Sequence, residues 1–225
     1  MSLFWPIGIL WTAWHYIWRI LPVWRTEREG TLAVDSPPPL PPDVSRDGLQ
    51  EPPDGSGPLF HRTYSGAISG ARKSAEELMT ELAADPNVVS PSRLAHFKKT
   101  VGDKGQMRVG DEFVVRMPGP WDGPIRVLMH EPTFFRFGTL DSHLEAGQIE
   151  WRAWESDGKL QFAVESWSRA GDKLSAIMHD HLRMAKEVQL YMWTSIVERV
   201  ARHVDGELVR GVSVETRRVP PDVFK

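Results

Sequence analysis

The sequence predicts an α+β fold: an antiparallel sheet curled around a long C-terminal helix, with a separate hydrophobic helix at the N-terminus. Three observations predict it. The periodic segments run strand, helix, six strands, long helix, and so many strands bury their apolar faces by wrapping the one amphipathic helix. At 225 residues and 41% hydrophobic, the chain suffices for one good domain with appendages and falls short of two with a linker. Its composition also breaks sharply, so four regions are expected: 1–26 a hydrophobic membrane-associated helix, 27–57 a proline-rich linker, 58–206 the folded domain, 207–225 a tail.

The first region is set apart by tryptophan. Trp5, Trp11, Trp14, Trp18 and Trp24 all fall in it, and the other polar or chargeable side chains from Leu3 to Trp24 are Thr12, His15, Tyr16 and Arg19. As a helix this stretch would reach about 33 Å, close to the thickness of a bilayer core. Charges follow the apolar run instead of preceding it, the reverse of a signal peptide. Whether the helix spans the bilayer or lies on it stays open. Pro6 and Pro22 leave an unbroken stretch of only about 22 Å, and tryptophan prefers the headgroup boundary. Against that, the polar stripe of Gly8, Thr12, His15 and Arg19 is narrow for a surface-lying helix, and Arg19 sits where it can reach the headgroups. A helix packed on the domain is the third reading. In a spanning helix, Arg19, Arg25 and Arg28 would place the domain on the cytoplasmic side.

The second region carries Pro37, Pro38, Pro39, Pro41, Pro42, Pro52 and Pro53 with few apolar groups to offset ordering entropy, which predicts a semi-extended spacer. Residues 59–68 then read as a strand. Ser74 with Glu77 forms a capping box that opens a helix running to about Ala84 and stopping before Pro86. Strands follow over 94–101, 111–117, 125–130, 133–140, 148–155 and 159–168, the last two joined through Asp157-Gly158, a two-residue hairpin turn. Asp172 caps the long helix, which continues to about Val204 with Gly206 as its stop.

Composition excludes several function classes. A net charge of −3 argues against a nucleic-acid partner, and the absence of cysteine removes disulfides, thiolate catalysis and cysteine-based metal sites. His179 and His181 stand two apart on a helix, about 200° around it, so they do not share an ion, and no metal or cofactor is expected.

The stretch Phe137-Gly-Thr-Leu-Asp-Ser-His-Leu-Glu-Ala-Gly-Gln-Ile-Glu-Trp151, with Ser166-Trp-Ser-Arg169 after it, resembles the bacterial and plant family called domain of unknown function 1990. That family carries Gly-Thr-Leu, then Gly-His-x-Glu-x-Gly-Glu, then a strand ending in Ser-Arg. The likeness runs from Phe60 to about Arg202, and the Trp-rich start with its Pro-rich linker looks like the actinobacterial members. Ser142 departs from the family's usual Gly, and Gln148 from its usual Glu. The resemblance implies a START-like, helix-grip fold of the kind that binds lipids, polyketides and hormones.

A sheet wrapped on one helix tends to leave a space between them suited to an apolar ligand. Phe113, Val115, Phe135, Phe137, Phe162, Val164, Met178 and His181 are expected to face it. His143 and Glu145 sit in a loop near Asp141, where they either act as an acid–base pair or fix the loop through its backbone. Trp121, in a rigid proline-glycine loop, reads as a lid, a membrane contact or a cap on the sheet edge. The expected function is a membrane-tethered module that binds a lipid or other apolar small molecule without catalysis. The alternatives are a cyclase- or dehydratase-like enzyme using His143 and Glu145, and a membrane-anchored protein-interaction domain.

Overall fold

A computed structural model describes residues 22–92, 94–117, 122–171 and 181–224, with the backbone alone for 181–188 and 224. In chain order the elements are β1 (Val23–Glu29), α1 (Leu32–Asp35), β2 (Ser56–Ser69), α2 (Ala75–Ala84), β3 (His96–Val101), β4 (Glu112–Arg116) and β5 (Asp122–Glu131). After them come β6 (Phe134–Thr139), β7 (Glu145–Ser156), β8 (Lys159–Ala170), α3 (His181–His203), β9 (Glu207–Leu208) and β10 (Val212–Val219). The described strands form one sheet in the order β1-β10-β2-β8-β7-β6-β5-β4-β3, with β9 on β2. Apart from the parallel β1–β10 pair, every neighbouring pair is antiparallel.

Local signals explain the elements. Ser74 Oγ accepts from the Glu77 N–H and Glu77 Oε2 accepts from the Ser74 N–H at 2.8 Å, the reciprocal cap that opens α2. Asp157 and Gly158 have φ of 52° and 68°, as a type I′ turn requires, and they pair Ser156 with Lys159. The end of α3 is closed one residue earlier than expected. Asp205, not Gly206, takes the left-handed φ of 54°, and the Gly206 N–H reaches back to the Ala201 carbonyl at 2.9 Å.

The core lies between the sheet and α3. Tyr64, Ile68, Phe97, Phe113, Phe135, Phe137, Trp151, Phe162 and Val164 come from the strands, and Trp193, Ile196, Val197, Val200 and Val204 from the helix. Gly66 sets the approach: a Cβ there would stand 2.5 Å from Leu208 and 2.9 Å from Val197. Only the bare backbone lets helix and sheet come this close.

Three expectations change. Trp24, expected in a hydrophobic helix over 1–26, lies in β1; the other four tryptophans of that helix fall outside the described residues. Among those residues no helix is long and apolar enough to cross a membrane. The expected tail at 207–225 supplies β10, whose Val212 and Val214 point into the core and which joins β1 to β2. The expected spacer at 27–57 is instead a strap laid across the outer face of the sheet. It is ordered by polar anchors together with a few apolar contacts: Val44 is buried, Leu32 packs on Leu59, Trp167 and Val219, and Leu49 lies against Gly138.

Candidate functional site

The helix-facing side of the sheet is graded from closed to open. At the closed end Phe135, Trp151 and Phe162 are 0% exposed and Phe137 1%. Their rings stack edge to face or tilted, with centroids 5.3 Å apart for Phe135–Phe137, 5.5 Å for Phe135–Trp151 and 6.2 Å for Trp151–Phe162. Val164 is equally buried. These four of the expected lining residues therefore pack on one another as dry core. Phe113 joins the same cluster at 5.9 Å from Phe137, and Val115, 8% exposed, lies further toward the open end. Met178 lies outside the described residues, as do the side chain of His181 and the whole of Trp121.

Toward the other end the inward positions of the same strands turn polar. Arg62 and Ser166 are paired across β2 and β8, both buried, next to Ile149 on β7. Ile149, Glu145, His143 and Met117 are only partly buried, and Gln189 of α3 donates to Glu145 Oε2 at 2.8 Å. Burial drives the Tyr64 hydroxyl, one step deeper on β2, up to about 12. Two donors in the interior have no partner among the described residues: the indole N–H groups of Trp151 and Trp193, whose rings meet at 6.2 Å. A buried donor without an acceptor costs about 1–3 kcal/mol, so this is an unusual feature for a dry core.

His143 and Glu145 are together but are not a hydrogen-bonded side-chain pair. His143 Nδ1 lies 2.9 Å from the Glu145 N–H and 3.0 Å from the Glu145 carbonyl, so the ring is tied to that backbone in either tautomer. Burial pushes the imidazole pKa down, and the Glu145 charge only partly opposes this. His143 Nε2 closes on the backbone of Gly123, where a Cβ would stand 2.9 Å away. Ser142 holds a left-handed φ of 78°. Among the described residues no group of three or more histidine, aspartate or glutamate side chains is placed to hold a metal ion.

The opposite face of the sheet carries the strap. His61 stands between two carboxylates, with Nδ1 2.8 Å from Asp35 Oδ1 and Nε2 2.6 Å from Glu165 Oε1, its ring stacked on Trp167. Both nitrogens meet acceptors, so the ring is an imidazolium. Burial pulls the His61 pKa down, but its bonds to Glu165 and Asp35 outweigh that and raise it above 6.5. Asp35 and Glu165 are pushed up by burial and pulled further down by His61; the Thr31 N–H and Arg217 add to this at Asp35, and Arg152 and Arg136 at Glu165. Leu32 of α1 packs beside this centre on Leu59, Trp167 and Val219.

Side chains on the sheet then grip strap carbonyls in turn. Gln148 holds Pro38 at 3.1 Å, Arg126 holds Ser45 and Asp47, Thr139 holds Gln50, and Arg169 holds Pro52 at 3.0 Å and Gly57 at 2.9 Å. Thr139, Gln148 and Arg169 belong to the stretches that carry the family resemblance. In this fold they fasten the strap. Sequence reasoning missed the role of His61; the signal that bore on it was a histidine and a glutamate at outward positions of two strands, with an acid in a proline-rich segment.

No family model and no curated protein matches the chain. Solved structures do. A di-domain ARO/CYC, StfQ, from the steffimycin biosynthetic pathway matches at TM-score 0.50 and 8% identity, over 66% of this chain and 51% of that one. This chain thus covers about half the length of that protein. Major latex-like protein 151 of Panax ginseng matches at TM-score 0.46 and 11% identity, over 64% of this chain and 97% of that one. Protein Ms6760 of Mycobacterium smegmatis matches at 0.42 and 14%, over 74% and 98%. At 8% identity the StfQ likeness concerns the fold alone, a sheet curled on one long helix of the helix-grip class.

Proposed function

We propose that the chain binds a lipid or another apolar small molecule at the open end between sheet and long helix, without catalysing a reaction on it. The carrying observation is the graded interior: a sealed aromatic floor at one end and, at the other, a half-open rim of Met117, Ile149, Glu145 and Gln189. An apolar body would lie over Met117, Val115 and Ile149, with Glu145 and Gln189 at its polar end. The helix-grip class supports this reading by fold analogy. Membership of the domain of unknown function 1990 family belongs to the same proposal, and so does a membrane tether in residues 1–21, supported by their apolar, tryptophan-rich sequence.

One observation favours a second reading. Burial holds the His143 pKa down beside Glu145, and Nδ1 is engaged by the Glu145 backbone, which leaves Nε2 to exchange a proton with a bound substrate. The StfQ match names an ARO/CYC. His143→Ala separates the two: unchanged uptake with lost turnover supports the enzyme, and unchanged uptake with no turnover in either form supports the carrier.

Uptake is best measured on the fragment from Pro22 onward, which keeps β1 and the strap while removing the apolar segment that would itself take up lipid. A fluorescent fatty-acid probe should bind this fragment, and Ile149→Trp, which fills the open end, should abolish binding with its circular dichroism unchanged. Equal binding by both forms would place the probe elsewhere and defeat the proposal.

A further inference from the structure

We infer that the β1 end of the sheet is a second membrane contact, an edge that seats in the headgroup layer of an anionic bilayer. The inference rests on the tether reading of residues 1–21. Those residues end at Pro22, whose carbonyl accepts the Val212 N–H at 3.0 Å and occupies the space a Cβ on Gly211 would need; Gly211 has φ of 81°. The apolar segment is therefore joined to the sheet at one fixed point, Pro22, beside the β9–β10 turn.

Trp24 is 62% exposed, with its indole N–H donating to the Arg210 carbonyl at 2.8 Å, so the ring is pinned against the turn while remaining open to its surroundings. Val209 beside it is 46% exposed, and Arg210 is exposed as well. Arg25, next on β1, has its side chain on the opposite face of the strand, and Glu27 on β1 and Glu207 at the start of β9 are acids of the same two elements. A pinned tryptophan, an apolar neighbour and the exposed Arg210, where a tryptophan-rich apolar sequence joins the sheet, match the chemistry of a headgroup layer: indole at the boundary, guanidinium on lipid phosphate. An aqueous protein partner would not have to lie within reach of Pro22, whereas a bilayer holding residues 1–21 must.

The chain contains no cysteine, so one nitroxide label on an introduced thiol reports one position. The full chain would carry the label at Val209→Cys, or at Val101→Cys on the far edge strand, and be mixed with phosphatidylcholine vesicles with and without phosphatidylglycerol. The expected result is burial of the label at 209 to headgroup depth on vesicles containing phosphatidylglycerol, with the label at 101 still in water. Arg210→Ala should then lower partitioning about fivefold on those vesicles and leave it unchanged on phosphatidylcholine alone. A label at 209 that stays in water on a vesicle-bound chain overturns the edge contact and leaves the tether standing. A chain that does not bind vesicles at all removes the tether, and the edge contact with it.

Discussion

The two faces of the sheet are built on opposite principles. The helix-facing side is held by shape: aromatic rings and branched aliphatics from β2, β4, β6, β7 and β8 interlock with α3, and the polar groups gather at one end. The outer side is held by charge and by hydrogen bonds to carbonyls, with one imidazolium between two carboxylates and a series of side chains gripping a proline-rich strap. Proline explains the fit of that strap. It lacks an N–H to satisfy but keeps its carbonyl, so a chain rich in it can lie on donors from Gln and Arg without leaving buried donors of its own.

Substitutions should expose the difference in order of size. Phe135→Ala opens a cavity in the sealed floor and should cost about 3–5 kcal/mol of global stability, read from the denaturant midpoint. His61→Ala leaves Asp35 and Glu165 facing each other under the strap and should cost about 3 kcal/mol. Its first sign should be faster amide exchange at Thr31, whose N–H depends on Asp35, while exchange in α3 lags behind. Equal acceleration at both would mean that the strap and the core open as one unit.

The outer face should also be the pH-sensitive one. His61 is raised above 6.5, so its contribution is complete below that value and is lost as pH climbs through the raised one. Asp35 and Glu165 are lowered from 3.8 and 4.5, so theirs is complete above those values and is lost as pH falls through the lowered ones. The thermal midpoint should therefore pass through a maximum between these limits, and His61→Gln should flatten its alkaline side. Smaller still is the effect expected of Ile149→Trp, about 1 kcal/mol or less in stability because the site is half-open, set against a complete loss of ligand uptake.

The contrast also explains what could be read from the sequence. Elements stabilised by their neighbours in sequence were legible: the Ser74–Glu77 box, the Asp157-Gly158 hairpin, and the alternation of Phe113 with Val115 and of Phe162 with Val164. Elements stabilised from far away were not. Asp35 finds His61 across 26 positions, Gln148 finds Pro38 across 110 and Arg169 finds Pro52 across 117, and nothing in a proline-rich segment announces such partners. β10 was missed because its apolar pair, Val212 and Val214, is short and leads into charged Glu215, Arg217 and Arg218. Within the candidate site, His143 and Glu145 were brought together as expected, but with the backbone between them. Alternation placed Phe135, Phe137 and Phe162 on the correct face; what it cannot supply is depth, and depth separates sealed floor from open rim.

The most direct test is native mass spectrometry of the fragment from Pro22 onward, purified gently from its host with lipid extraction in parallel, for the unaltered sequence and for Ile149→Trp. A carrier with its site at the open end predicts one apolar species at fixed stoichiometry on the first and none on the second. A clean unliganded mass for both, with no uptake from a panel of lipids, would contradict it and leave the helix-grip interior as core throughout.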